Sequence, residues 1–278
     1  MKIFNFFIGV LMMIFFVSCT TDGKVRDKQF GENFWDGETF TQKTVNASKL
    51  DDDIIRAKID GVWQEFHLKK VPKEFVEWNV QRRIETIEKI TKGEMPGLDG
   101  PHNGIVATYG YRRKDSDFRL NNAIKGMGFL PKRDKIKEVI KTLKETKEEN
   151  FMKKLEILKN YYENADSVFD MTKQVSLELY TTPKRGTQTF LNQMTNPASV
   201  IVFMDIPTFK LKTIAYLLHP KNPNLNDYEK DVVEYVNLIH SYFHGEFSTE
   251  FIAVIYNVVE VYNSSPGVKE GMGTRIVP

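Results

Sequence analysis

The sequence is poor in cysteine, with one among 278 residues, and this scarcity excludes several kinds of site. A lone cysteine forms no disulfide within the chain and cannot build a zinc site that needs several thiolates. Charge is also nearly balanced, with 39 Lys and Arg against 37 Asp and Glu. A charge that is so evenly balanced gives no argument for binding nucleic acid. We therefore expect no nucleic-acid partner, and a fold that is stabilised by burial.

Two common motifs, one that binds nucleotide phosphates and one that carries the serine nucleophile of many esterases, are missing as well. Gly267, Gly271 and Gly273 lack the spacing of a phosphate-binding P-loop, and no helix follows them. The chain has no G-x-S-x-G turn of the kind that carries a hydrolase serine. We therefore expect no cofactor.

Long apolar runs are absent after residue 17, because no later segment approaches the ~20 apolar residues that a membrane-spanning helix requires. The first residues are the exception. Lys2 precedes an apolar run from Ile3 to Val17 that only Asn5 and Gly9 interrupt. A short positive flank followed by such a run is typical of a secretory signal.

The end of this run, Phe16-Val17-Ser18-Cys19, resembles the lipobox of bacterial lipoproteins. In that family a small residue precedes a cysteine that receives a diacylglyceryl thioether and becomes the mature amino terminus, and Ser18 and Cys19 occupy these places. Phe16 departs from the pattern, which usually has an aliphatic residue there. The resemblance implies a signal peptide at 1–18, lipidation of Cys19 and attachment to a membrane of the bacterial cell envelope. The alternative is an uncleaved signal anchor with an incidental cysteine.

Residue Thr20 refines the expected location. The resemblance implies that Thr20, in place of Asp, directs the lipoprotein to the outer membrane in a Gram-negative cell. The resemblance covers the targeting segment alone and implies nothing about the rest of the chain.

Residues 19–53 are predicted to be the lipidated cysteine and a tether. The segment has no apolar period but carries four aromatic residues, Phe30, Phe34, Trp35 and Phe40. We expect these rings to dock onto the folded body; the alternative is that they bind a partner.

Residues 54–278 are predicted to form a single α+β body. Its N-terminal part is 54–170, its ferredoxin-like part is 171–265, and its tail is 266–278. In the N-terminal part, Asp60-Gly61 predicts a hairpin within 54–71, and Pro72 predicts the start of a helix that stops at Gly93.

Two further patterns complete the predicted architecture. Residues 132–166 predict a long charged helix, with a kink or a break between Leu143 and Phe151, where the apolar stripe fades. The last hundred residues predict β-α-β-β-α-β, the order of a ferredoxin-like unit. The strand 199–206 is so apolar that we expect burial on both faces, and we expect the N-terminal elements to cover it or extend the sheet.

The Gly- and Pro-rich loop 94–104 holds Glu94, Asp99 and His102, which have the chemistry for acid, base or metal work. The rival interpretation is an ordinary solvated loop.

Residues 181–187, TTPKRGT, join a strand to a helix predicted to start at Pro183. That boundary puts Lys184 and Arg185 in the first turn, where cations oppose the helix dipole. An anion bound by Lys184, Arg185 and Thr187 would relieve this conflict, and so would an acidic side chain of the same chain.

His240 and His244 lie four residues apart on a predicted helix, like the two ligands of a zinc-binding H-E-x-x-H helix. Here Ser241 follows the first histidine, so the glutamate that serves as general base is absent. We expect the pair to be structural, with the residues as weak metal candidates only.

These observations favour a lipid-anchored envelope protein that binds an unknown protein or small-molecule partner without catalysis. The alternative is an envelope hydrolase that uses Glu94, Asp99 and His102, or His240 with His244. The two differ in one structural feature, because an enzyme needs titratable groups within hydrogen-bond reach of one another. A binding module needs only an exposed apolar face.

Overall fold

The computed structural model describes residues 33–95, 97–267 and 273–277. Three strands form a small antiparallel sheet: β1 (Val45–Asn46), β2 (Ile54–Ile59) and β3 (Val62–His67). The other strands form the main sheet: β4 (Asn103–Tyr109), β5 (Leu120–Gly126), β6 (Gly128–Pro131), β7 (Phe169–Glu178), β8 (Ala198–Phe203), β9 (Phe209–Leu218), β10 (Ile252–Asn263) and β11 (Thr274–Val277). The helices of the described residues are α1 (Lys73–Thr91), α2 (Ile136–Glu145), α3 (Phe151–Glu163), α4 (Ala165–Val168), α5 (Gln188–Thr195) and α6 (Asp227–His244). The α+β class is confirmed.

The main sheet is antiparallel throughout and is curled. Its strand order is β5-β4-β8-β9-β10-β7-β6, and β11 pairs with β10. The two strands at the ends of this order, β5 and β6, are separated in the chain by Met127 alone. The ends of the sheet therefore come together, and Lys125 on β5 pairs with Glu178 on β7 at 2.6 Å.

The strands and helices of residues 169–263 follow one another as expected, but their pairing differs from a ferredoxin-like unit. In such a unit the first strand lies between the third and the fourth. Here the fourth, β10, lies between the third, β9, and the first, β7. The reason is that β7 already pairs on its other side with β6, from the N-terminal part of the chain.

Strand β8 is not an edge, because β4 pairs with it opposite β9. The expectation that β8 is buried on both faces is wrong, however. Ile201 and Phe203 are buried inside the curl, whereas Val200 and Val202 on the outer face are only partly buried.

The β2–β3 hairpin, helix α6 and the division between α2 and α3 agree with the predictions from local sequence. Asp60 and Gly61 adopt positive φ angles of 48° and 85°, as the tight hairpin between β2 and β3 requires. Asn226 and Glu229 form the capping box of α6. The charged stretch after residue 132 divides into α2 and α3, and the side chain of Asn150 caps α3.

Hydrophobic packing fixes the helices on the sheet. Helices α2 and α6 pack on one outer side, against Val175, Leu177 and Ile255 among others. The small sheet packs on Ile214 of β9. Helix α1 closes one end of the curl with aromatic contacts to Phe203 and Phe209.

The segment 33–44 lies against the body, which confirms the docking expected of Phe34, Trp35 and Phe40. Trp35 and Phe40 both pack against Phe190 of α5. Gln42 fixes the segment further, because its Nε2 donates to the Gln193 carbonyl at 2.9 Å. Phe30 lies outside the described residues.

Among the described residues, none of the helices has the length and apolar composition that crossing a bilayer requires.

Candidate functional site

Arg83 on α1 is the largest of the fully buried side chains, at 2% exposure. All five of its N–H donors have acceptors, which come from α1, α3, the loop before β4 and the residue before β6. These are Asn79 Oδ1 at 2.7 Å, His102 Nδ1 at 3.2 Å, Tyr162 Oη at 3.2 Å, and the carbonyls of Pro101 and Met127 at 2.9 Å each. We call this set the Arg83 cluster.

The Arg83 cluster contains no carboxylate. The guanidinium carbon instead lies over the rings of Phe129, at 5.6 Å from the centroid, and Tyr162, at 5.3 Å. Aromatic faces attract a cation, and the attraction grows when water is excluded. Arg83 is thus a buried cation held by neutral acceptors and rings, and it joins four elements of the fold.

His102 is held in a single neutral form by this cluster. Because arginine only donates, His102 Nδ1 must accept, and its proton must lie on Nε2. Burial, together with the charge of Arg83, lowers the pKa of His102 to about 3. The ring keeps some exposed area, but Nε2 itself is buried and finds no hydrogen-bond partner in the described residues. A base with so low a pKa abstracts protons poorly near neutrality.

The other two candidates of this loop do not join His102. Asp99 is exposed and pairs with Arg82 at 2.6 Å, and Glu94 is exposed. Asp99 and His102 are therefore bound to different arginines, Arg82 and Arg83. The structure gives this loop no convergent acid–base pair.

Arg82 joins two loops and fixes the side chains that they expose. Its Nε donates to Asp205 at 2.7 Å and its Nη2 to Asp99 at 2.6 Å. Burial alone would raise the pKa of Asp205, but hydrogen bonds from the backbone of Ile206 and from Trp78 and Arg82 lower it. The apolar side chains that these loops leave exposed are Leu98, Met204 and Ile206.

An uncovered apolar surface lies on the outer side of strands β5, β4 and β8. Its residues are Leu120 and Ile124 of β5, Ile105, Ala107 and Tyr109 of β4, and Val200 and Val202 of β8. We call this surface the apolar sheet face. Leu120 and Ile124 are 64% and 73% exposed. Helix α5 contacts β4 and β5 on the opposite face, where Thr108 and Asn121 bind it. Leu120, Ile124 and Tyr109 stay exposed on the outer face.

The loop 181–187 is not part of helix α5, although the sequence predicted that the helix starts at Pro183. Helix α5 begins at Gln188, with Thr187 as its N-cap accepting from the Phe190 N–H at 3.1 Å. The TTPKRGT segment before it is closed instead by a bridge between Thr182 and Arg185. Lys184 and Arg185 are therefore outside the helix, and the predicted conflict with its dipole does not exist. Both side chains are exposed.

The histidines of α6 belong to the end of that helix. His240 is partly buried, with its ring 5.9 Å from that of Phe247. The side chain of His244 is outside the described part of the structure. Among the side chains that are described, no group of three or more His, Cys, Asp or Glu is placed to hold a metal ion. Cys19 also lies outside the described residues.

No protein-family model matches the chain. No curated protein matches it either. One solved structure that does match is a protein from Clostridium acetobutylicum related to general stress protein 26 of B. subtilis, of the pyridoxinephosphate oxidase family. It is 10% identical, with a TM-score of 0.30, over 72% of this chain and 96% of that one. A likeness this low carries no argument about function.

The burial of Arg83 and the strand β5 were not predicted from the sequence. Arg83 was passed over because it is charged, although Asn79 and Arg83 continue the buried side of α1 between Val76 and Ile87. That spacing was the available signal. Strand β5, which carries Leu120 and Ile124 of the apolar sheet face, was not predicted either.

Proposed function

We propose that this protein is a lipid-anchored, non-catalytic module of the bacterial envelope, and that its apolar sheet face binds another protein. The observation that carries the binding role is the exposure of Leu120, Ile124 and Tyr109 on the neighbouring strands β5 and β4. From strand spacing, the face is about 15 Å wide and about 15–20 Å long. Patches of a few hundred Å² on a soluble domain often mark interaction sites.

The shape of the face favours a protein over a small molecule. Small-molecule sites are concave and bury most of the ligand. The apolar sheet face is instead an open sheet surface, and β5 lies at one end of the strand order.

The hydrolase alternative finds less support. His102 is neutral, with a pKa of about 3, and its Nδ1 is occupied by Arg83. Asp99 is bound to Arg82. Neither arrangement leaves a nucleophile, base and orienting group in mutual contact, as acyl or phosphoryl transfer needs.

Photo-crosslinking from the apolar sheet face tests the binding role. With a benzophenone amino acid in place of Ile124, cells should yield a discrete protein adduct. Adding Tyr109→Asp should abolish this adduct, because it puts a carboxylate on the same apolar face, opposite Leu120, and opposes apolar docking. The control places the probe at Lys141, an exposed site on α2, the helix that packs over β7 and β10. An identical adduct from Lys141, or one that survives Tyr109→Asp, would contradict the proposal.

The lipid anchor is tested separately, through the Ser18-Cys19 junction. Cys19→Ala should abolish labelling by a palmitate analogue and leave a precursor of higher mass. Ser18→Ala keeps a small residue before the cysteine and should label normally. If Cys19→Ala still takes up label, the anchoring proposal fails.

A further inference from the structure

We propose that a set of basic residues beside helix α5, all exposed except the partly buried Arg113, binds the anionic lipid headgroups of the membrane that holds the anchor. The residues are Arg112, Arg113, Lys114 and Arg119 in the loop before β5, and Lys184 and Arg185 in the loop before α5. We call them the basic loop face. The inference deepens the proposed function and rests on its lipid anchor, because it states which side of the body meets the bilayer.

Helix α5 brings the two loops together. Asn192 holds both ends of the first loop: its Oδ1 accepts from the Tyr111 N–H at 2.8 Å, and its Nδ2 donates to the Arg119 carbonyl at 3.0 Å. Arg113 Nη1 then donates to the carbonyl of Gly186 in the second loop at 3.5 Å. The six cations therefore lie on one side of the molecule, on loops that the fold positions.

The charge of this face is strongly one-sided. Against its six basic residues stand two acidic ones in the same loops, Asp115 and Asp117. Asp115 pairs with Arg113 at 2.8 Å. Within the described residues, the other five cations form no ion pair, whereas all three lysines of α2, Lys137, Lys141 and Lys144, do. An excess of unpaired cations near an anionic membrane strengthens binding by about fivefold per residue.

Exposed aromatic side chains accompany these cations. Phe118 is 74% exposed in the first loop, and Tyr180, which is 66% exposed, precedes the second loop. Aromatic rings beside basic residues can enter the headgroup region while the cations contact phosphates. This combination favours a membrane surface over a purely ionic partner.

The described chain begins beside the basic loop face. Phe34, near the start of the described chain, packs against Tyr111 at 6.0 Å and against Phe190 of α5 at 6.4 Å. Thirteen residues, 20–32, lie between Cys19 and Asn33. Even fully extended, the chain from Cys19 to Asn33 spans at most about 50 Å. The described chain therefore begins beside the basic loop face, within that length of the proposed anchor.

Vesicle sedimentation of the unlipidated chain from Thr20 to Pro278, which keeps every described residue, tests the inference. It should bind phosphatidylcholine vesicles that contain 30% phosphatidylglycerol and should not bind pure phosphatidylcholine. The double variant Lys184→Glu/Arg185→Glu should bind at least tenfold more weakly, since it reverses two of the six charges. Added salt should weaken wild-type binding in the same way.

The matched control is Lys137→Glu/Lys141→Glu on α2, which changes net charge equally at two exposed positions. It should bind as the wild type does. An equal loss in this control, or equal binding to both vesicle types, overturns the inference. Full competition by 10 mM inorganic phosphate at constant ionic strength also overturns it, because that result indicates a discrete phosphate site. If the chain binds these vesicles but the wild-type protein takes up no palmitate analogue, the proposed lipid anchor is wrong and the lipid-binding role of the basic loop face stands.

Discussion

Replacing Arg83 with methionine should lower the free energy of unfolding by roughly 4 kcal/mol, a large part of the ~5–15 kcal/mol of a typical domain. Methionine resembles the arginine stem in length but leaves all five acceptors of the Arg83 cluster without their donor. Each buried acceptor left unpaired costs about 1–3 kcal/mol, and these costs are not fully additive. Removing a buried cation recovers part of its desolvation cost. The five lost hydrogen bonds outweigh that gain. Because no carboxylate pairs with Arg83, its removal leaves no opposite charge unpaired, and the loss stays near ~4 kcal/mol.

Urea unfolding of Arg83→Met, Arg83→Lys and Lys89→Met measures this effect. Lysine keeps the cation but can supply at most three donors, so it should fall between methionine and the wild type. Lys89 lies on the same helix and is exposed, so Lys89→Met should change stability by less than about 0.5 kcal/mol. If Arg83→Met stays within about 1 kcal/mol of the wild type, Arg83 does not hold the four elements together.

The parts of the fold that were predicted from sequence are those with a local signal. The β2–β3 hairpin follows from Asp60-Gly61, since few residue pairs tolerate two positive φ angles. Helix α6 follows from the capping box of Asn226 and Glu229. Such signals act within a few residues, so a single sequence contains them.

The parts that were not predicted depend on distant partners. Strand β5 reads Leu-Asn-Asn-Ala-Ile-Lys-Gly, and Asn and Gly are depleted in strands, so only its pairing with β4 makes it one. The positions of β7 and β10 in the sheet, which are swapped relative to a ferredoxin-like unit, likewise depend on a distant partner. Strand β6, about 40 residues before β7, pairs with β7. The start of α5 was placed five residues early, because Pro183 suits a first helical turn as well as it suits the turn that it occupies.

The candidate site shows the same limit. The sequence indicates that Asp99, His102 and Arg82 exist, but their partners are decided by packing. His102 meets a buried arginine where a metal or carboxylate would have supported catalysis. Burial of a charged residue such as Arg83 is rare, so a sequence argument passes over it.

Acidification from pH 6.5 to pH 4.5 should destabilise the protein by up to about 1.4 kcal/mol per pH unit for each of two histidines. Burial lowers the pKa of His102 to about 3, and the charge of Arg83 adds to this effect. Burial also lowers the pKa of His219 to about 4, helped by Lys221 and opposed by Glu38. His219 packs against the rings of Trp35 and Phe40.

The sign follows from where protons bind. An unfolded histidine takes a proton below about pH 6.5. In the folded state His102 stays neutral until about pH 3. Between these values the unfolded state binds more protons, so stability is present above pH 6.5 and is lost as the pH falls. Carboxylates with lowered pKa values, such as Asp205, lose their contribution mainly below this window.

Urea unfolding at pH 6.5, 5.5 and 4.5 separates the two histidines. His102→Asn should retain an oxygen near the Nδ1 position, to accept from Arg83, but has no group that titrates, so it should remove about half of the pH slope. His219→Asn should remove much of the rest, while His67→Asn, at an exposed position on β3, should leave the slope unchanged. A wild-type slope that persists in His102→Asn would show that the histidine beside Arg83 takes up its proton without resistance. In that case the Arg83 cluster would not be the closed, positively charged environment that the structure describes.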